Sequence, residues 1–525
     1  MKQISWMLAG LVLVAGCAQR PWGQRGALAA PQALTVDYLQ DPVGLDHPAP
    51  RLSWKLTAAR RSARGLRQTA YQILVASSPE RLRDNQGDLW DSGRVASDQS
   101  LNVVYAGKPL TTSQRCYWKV RAWDNQSDTP SAWSAQSRWI MGVMRPADWQ
   151  ARWIGANAAT RPDCDLAGAQ WIWTGDAPSL GQAAQGVRHY RKVFDAPRGA
   201  QDAPVELALT ADDEYEVFIN GKSAAKTWGH FNEWRWMRFH DVAPLIKPGR
   251  NLIAVTVKNK EPGPTALLAV LKFADGKAVP TDTTWSTSAQ AVKGWKEQVD
   301  GFAHDAWKAA VIAGPVDGAP WGKIERRREL VSPAFEKRFT VTRPVREATL
   351  HITGLGFYEA SLNGQRIGRK VLDPAPTRYD RRVLYSTYDM TEMLTRGENR
   401  LHVLLGHGWY DVRSVAVWNF DNAPWRDFPR MLAQLEITYD DGTRMMVVSD
   451  DTWRQVASPL GFDCIREGEV LGKAPKGAPD LEKQVLRADV VPAPAGRLTA
   501  SALPPSVVTQ RLKPVAVRAI TPGTW

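Results

Sequence analysis

Cysteine is scarce in this chain: four residues in 525, at positions 17, 116, 164 and 464, with no Cys-x-x-Cys pair. That excludes a disulfide framework and a cysteine metal cluster, and leaves Cys164 with Cys464 as the one pairing worth considering. Helical periodicity is nearly absent, which excludes bundles and doubly wound folds. There is no His-Glu-x-x-His, no phosphate-binding loop, no dinucleotide fingerprint and no Gly-x-Ser-x-Gly elbow, so the common hydrolase and nucleotide chemistries have no sequence support. Beyond the first few residues no stretch is long and apolar enough to span a bilayer.

The amino terminus is different. Met1-Lys2-Gln3 makes a short positive region, and the apolar run 6–16, WMLAGLVLVAG, is too short for a stable anchor. The run ends in Val14-Ala15-Gly16-Cys17, which resembles a bacterial lipoprotein box. The resemblance implies cleavage before Cys17, lipidation there, and an exported chain held in the bacterial envelope, with residues 1–31 as signal peptide and tether. A plain secretory peptide with a coincidental Cys is the other reading.

The net charge is +13, yet the basic clusters at 60–64 (RRSAR) and 325–329 (ERRRE) are short and far apart. Solvated faces account for them, and a nucleic-acid partner is not expected. Tryptophan is the excess, with 24 residues. Its rigid apolar face suits the C–H face of a sugar ring, although most Trp in β-sandwiches serve the core.

Short alternating strands separated by Gly, Pro, Asn and Asp run through the chain and predict an all-β fold. Residues 32–147 hold several such strands, among them 51–56 (RLSWKL), 71–78 (YQILVASS) and 116–124 (CYWKVRAWD). Tyr117, Lys119, Arg121 and Trp123 should share one face of the last. The strand count suits an immunoglobulin or fibronectin type III sandwich, and 117–134 resembles the tail of a fibronectin type III module, so this unit reads as a fibronectin type III-like sandwich. Residues 148–325 and 326–500 then repeat one order. A basic strand reaches Phe194 or Phe339, an alternating strand follows, then an Asn-Gly turn (Asn220-Gly221, Asn363-Gly364), then a Gly-x-Asn step into an apolar strand. Asn-Gly between alternating strands is a strong hairpin signal. The repeat predicts two jelly-roll-like β-sandwich domains, with 501–525 as the start of a further β-domain.

Glycoside hydrolysis needs two carboxylates flanking the scissile bond. Asp440-Asp441, Asp450-Asp451 and Glu467/Glu469 can be drawn as pairs, but the first two read as turns, and neighbours on a strand face opposite sides. His402 and His407 lack acidic company in the sequence, and 406–410 (GHGWY) reads as a packed turn.

The runs YWKVRAWDNQSDTPSAWS (117–134), DWQARWIG (148–155), GLGFYEASLNGQRIG (354–368), LDPAPTRYDRRVLYSTYDMTEML (372–394) and GENRLHVLLGHGWY (397–410) together resemble the amino-terminal half of bacterial α-L-rhamnosidases, glycoside hydrolase family seventy-eight. The likeness covers residues 32 to about 520. The family hydrolyses terminal α-L-rhamnose with inversion, using acidic residues of an (α/α)₆ barrel that follows the β-domains. No stretch resembling that barrel's acidic motif occurs here. The resemblance therefore implies a non-catalytic portion, inactive alone, with a separately encoded catalytic domain as its implied partner. A surface glycan-binding lipoprotein and one half of a split rhamnosidase are the alternatives. In the second domain, TADDEYEVFING (210–221) and the Trp residues of 228–241 resemble a rhamnose-binding module. By that match Asp212 and Asp213 form a polar clamp that would also hold Ca²⁺. Trp236, and less directly Trp234, would be the platform beneath a rhamnose-containing glycan. Asp213 stands where the family also uses an amide. Asp212-Asp213 capping a turn, with the Trp residues in the core, is the bland alternative. The third domain has GLGFY (354–358) in place of ADDEY (211–215), which implies close backbone approach there instead of ligand chemistry. Arg378, Tyr379 and Asp380 of this domain are implied to face the barrel in full-length relatives.

Overall fold

The computed structural model describes residues 28–516 apart from 61–62, 158–164, 167, 228–232, 325–331, 413–419, 421–422, 467, 472–480 and 482–484. Cys17, Cys164, Trp228 and Glu467 lie outside the described residues, as do the lipoprotein box and the 325–329 cluster. The chain divides into two compact units, Met1–Asp148 and Trp149–Trp525, and is almost entirely β. No described helix is long and apolar enough to cross a membrane.

The first unit is a sandwich. One sheet joins Gln32–Val36, Arg51–Lys55 and Val103–Val104; the other runs Val43–Leu45, Ser137–Met141, Arg115–Asp124, Gln68–Ala76 and Trp90–Asp91. Trp54, Trp118 and Trp139 fill the space between the sheets. The outward face of Arg115–Asp124 carries the ladder its alternation predicts. Arg121 lies 4.7 Å over the Trp133 ring and 5.2 Å over Trp123, and Lys119 lies 5.0 Å over Trp133.

The second unit contains two sandwiches built to one plan. In the first, Arg238–Asp241, Val205–Asp212, Ala266–Phe273, Gln170–Trp173 and Val311–Pro315 form one sheet. Lys222–Lys226, Glu214–Ile219, Gly249–Asn259, Gly186–Ala196, Ser286–Ser288 and Lys308–Ala309 form the other. In the second sandwich, Arg430–Tyr439, Val345–Leu355 and Arg382–Asp389 pack over Phe357–Leu362, Gly397–Gly406, Ala334–Val341 and Arg454–Val456.

The correspondence is atomic. Asn220 and Gly221 have φ of 51° and 81°, and Asn363 and Gly364 have 53° and 85°, the left-handed pair that a two-residue hairpin demands. A second shared signature, Asp-x-Thr-Trp, occurs at 282–285 and 450–453. Asp282 Oδ1 accepts from Thr284 N at 2.8 Å and Asp450 Oδ1 from Thr452 N at 2.9 Å. Trp285 and Trp453, both fully buried, donate to Pro280 O and Val448 O, each at 2.8 Å. Asp450 is therefore a turn-former, and so is Asp441, whose Oδ1 accepts from Thr443 N at 2.9 Å.

One segment departs from the sequence expectation. Ile154–Gly155, placed there in the 148–325 domain, pairs with Arg430–Met431 and Asp489–Val490 in the other sandwich. Arg152 N donates to Ser449 O and Gln150 N to the Gln434 side chain, so residues 150–157 complete the later sheet before the chain enters the earlier one. A two-residue strand carries too little alternation to reveal its partner.

Candidate functional site

The Val205–Asp212 and Glu214–Ile219 strands belong to opposite sheets, and the chain crosses between them at Asp212–Asp213, through a cis peptide. The equivalent crossing in the later sandwich, Leu355–Gly356, is also cis. At this end of the sandwich Asp212 Oδ2 accepts from the Trp321 indole at 2.9 Å, and the Asp212 carbonyl accepts from Thr265 Oγ1 at 3.0 Å. Asp213 Oδ2 accepts from Lys260 N at 2.8 Å. Next to them Glu214 pairs with Lys260 at 2.7 Å.

The two carboxyl groups touch. Burial pushes the Asp212 carboxyl up to about 7; the Trp321 indole opposes the shift, and the hydrogen bond and charge of Asp213 add to it. Two adjacent carboxyls in a half-buried crossing form a concentrated hard-oxygen donor set. Hard carboxylate oxygens are the donors that Ca²⁺ takes, so this pair fits Ca²⁺ in kind. Among the described residues no three His, Cys, Asp or Glu side chains cluster as a metal cage. The rest of a Ca²⁺ shell would have to come from carbonyls, water and ligand hydroxyls.

The aromatic residues separate. Trp321 stacks on Trp171 with centroids 4.2 Å apart. Trp234 packs against the apolar cluster that includes both rings, and its carbonyl accepts from Thr210 Oγ1 at 3.1 Å. Trp236 belongs to a different environment: the Arg426 guanidinium, from the later sandwich, lies 4.7 Å over its ring. Its buried indole N–H has no hydrogen-bond partner among the described residues. Asp212 and Asp213 are thus brought together, Trp234 is joined to them through the Trp321 layer, and Trp236 stands beside Arg426. Trp321 was missed by sequence reasoning. It lies 109 positions beyond Asp212, and only the folded pairing of Val311–Pro315 with Gln170–Trp173 returns it to the site.

In the later sandwich the matching position is closed. A Cβ on Gly356 would meet His407 O at 2.0 Å, so the backbone itself occupies the space where Asp213 projects in the earlier copy. His407 does find acidic company: Nδ1 lies 2.6 Å from Asp463 Oδ1 and Nε2 lies 3.7 Å from Asp411 Oδ2. The cluster is buried and holds the turn 406–410 in place, as the sequence reading of that turn expects.

Residues 31–145 match the Rha78A-like, N-terminal immunoglobulin domain, and residues 343–510 match the α-L-rhamnosidase N-terminal domain. The first match assigns the opening sandwich to the immunoglobulin type, one of the two related types that its strand pattern suits. Over 444 residues the chain is 37% identical to an α-L-rhamnosidase of Streptomyces avermitilis, covering 83% of this chain and 42% of that protein. It is 26% identical over 434 residues to an α-L-rhamnosidase of Formosa agariphila, covering 82% and 30%. The crystal structure of the Streptomyces avermitilis α-L-rhamnosidase complexed with L-rhamnose superposes with a TM-score of 0.80 at 33% identity, covering 92% of this chain and 47% of that one. The Dictyoglumus thermophilum α-L-rhamnosidase, with a TM-score of 0.56 at 23% identity and 95% and 38% coverage, shares the fold. The chain spans less than half the length of these relatives.

Proposed function

We propose, for a chain that carries the amino-terminal domains of the α-L-rhamnosidases, that its second sandwich binds terminal L-rhamnose at the Asp212–Asp213 crossing. The reading rests on one observation above all: two touching carboxyls, one pushed up to about 7 by burial, presented beside a stacked tryptophan pair. Carboxylates accept hydrogen bonds from vicinal hydroxyls, and the partly exposed Trp234, backed by the buried Trp171–Trp321 stack, is the aromatic surface left for the apolar face of a ring. A bound Ca²⁺ would link the carboxylates to sugar hydroxyls through hard-oxygen coordination. Asp212 and Asp213 would hold it. Trp321 orients Asp212 by donating to Oδ2, and Lys260 N fixes Asp213. The relative solved with L-rhamnose supports the choice of sugar for this chain.

Hydrolysis is assigned elsewhere. The carboxylate pairs that the sequence offers are turn-formers where they are described, and the buried His407 cluster serves the turn 406–410. The described sandwiches bind and position a rhamnose-containing glycan and do not cleave it. Export and attachment to the bacterial envelope through a lipid on Cys17 complete the reading and place this site on an extracytoplasmic surface.

Retention on immobilised L-rhamnose tests the proposal. The full chain is expected to be retarded in Ca²⁺ and released by chelator, and Asp212→Ala is expected to elute with the void. Equal elution of all samples would overturn it.

A further inference from the structure

The other sheet of the same sandwich has an outward face that the rhamnose reading leaves unused. Along Gly186–Ala196, Tyr190 points into the core while His189 and Arg191 point out. Along the paired strands Phe218 and Ala254 share that outward face. The segment 289–307 lies across it. Trp295 is buried on Phe218 and Ala254, with its ring 4.6 Å from His189. Trp307 stacks on Trp295 at 5.8 Å, and Phe302 meets Trp307 edge-on at 5.5 Å.

Arg191 sits inside this arrangement at 4% exposure, its guanidinium 3.7 Å from the centre of the Phe302 ring. Nη2 donates to Gln298 O. Nη1 is buried and has no partner among the described residues, and the same is true of the Trp307 indole N–H. No carboxylate of the described residues pairs with Arg191, and burial alone lowers its pKa. A buried guanidinium without a counter-charge is an uncompensated charge, which a paired anion would offset. Both unmet groups around Phe302 are donors. The complement of two donors, one of them cationic, is an acceptor-only anion, and a planar carboxylate matches the guanidinium fork. Lys296, with Nζ 4.2 Å over the Phe218 ring, adds positive charge at the rim.

We propose that the partly exposed edge of residues 289–307, at Phe302 and Trp307, is a second carbohydrate subsite, specific for a sugar acid, with Arg191 as carboxylate anchor and Trp307 as second donor. The aromatic residues around Phe302 supply the apolar surface that favours a sugar ring over a bare anion.

Glucuronate and glucose differ in the carboxylate alone and are the probes. Intrinsic tryptophan fluorescence of the full chain is expected to change saturably with glucuronate and not with glucose, and at least tenfold less sensitively with acetate. Arg191→Gln is expected to weaken the glucuronate response at least tenfold, and Arg191→Lys, which keeps the charge but loses the fork, to weaken it less. Phe302→Ala is a second variant that spares the guanidinium, and a several-fold loss is expected. Circular dichroism and the melting temperature check that each variant is folded. No saturable response to glucuronate, an equal response to glucose or acetate, or a response that survives Arg191→Gln in folded protein would each overturn the proposal. L-rhamnose is titrated separately, so failure of the Asp212 site would not be mistaken for failure of this one.

Discussion

Asn220 and Asn251 are joined by a side-chain hydrogen bond of 2.8 Å, and Asn363 and Asn399 repeat it at 2.9 Å in the other sandwich. Each pair locks the Asn-Gly hairpin to the strand beside it. Asn220 Oδ1 accepts from Leu252 N and Asn363 Oδ1 from Arg400 N, while Asn251 and Asn399 bind backbone groups of their own turns. Asn251 and Asn399 are both 0% exposed. Removing either amide strands several buried backbone groups, each worth about 1–3 kcal/mol. Asn251→Ala and Asn399→Ala are expected to destabilise the chain by about 2–4 kcal/mol, read as a shift of the urea midpoint at unchanged slope.

Gly356 makes a sharper test of divergence between the copies. Because a Cβ there would collide with the His407 carbonyl, Gly356→Ala forces the backbone apart and is expected to cost about 2 kcal/mol or more. Asp213→Ala at the matching position of the earlier copy removes the acceptor for Lys260 N and is expected to cost only about 1 kcal/mol while abolishing rhamnose binding. The melting temperatures of the two variants check the contrast.

Trp321→Phe keeps an aromatic ring against Trp171 and removes the indole donor to Asp212. A hydrogen bond to a charged group contributes about 1.5–3 kcal/mol. The substitution is expected to weaken rhamnose binding roughly tenfold or more, measurable as a change in dissociation constant in folded protein.

Two buried histidines, His189 and His351, and the half-buried His240 set an acid limit. Burial lowers His351 to about 3 and His189 and His240 to about 4, below the ordinary 6.5. The folded state keeps them neutral, so the unfolded chain takes up protons first. Their contribution to stability is complete above pH 6.5 and falls as pH drops toward 4, by up to about 1.4 kcal/mol per unit for each group. His351→Gln is expected to flatten the decline in urea midpoint between pH 6.5 and 4.

The all-β class, the duplicated hairpin and the Gly-x-Asn step were legible in the sequence because each rests on local rules: alternation, positive φ at Asn-Gly, and a buried Asn closing its own turn. The Asp212–Asp213 pair was legible as a contrast with Gly356 between two aligned copies. What the sequence hid is long-range. Trp321 reaches Asp212 only through sheet pairing, Ile154–Gly155 is too short to show its partner, and the Arg426–Trp236 contact joins two sandwiches.

Isothermal titration of L-rhamnose into the full chain, with Ca²⁺ and after chelation, tests the central claim most directly. The account predicts saturable heat at one site per chain, weakened at least tenfold by chelation and lost in Asp212→Ala. Heat that is absent in the presence of Ca²⁺, or that persists undiminished in folded Asp212→Ala, would contradict it.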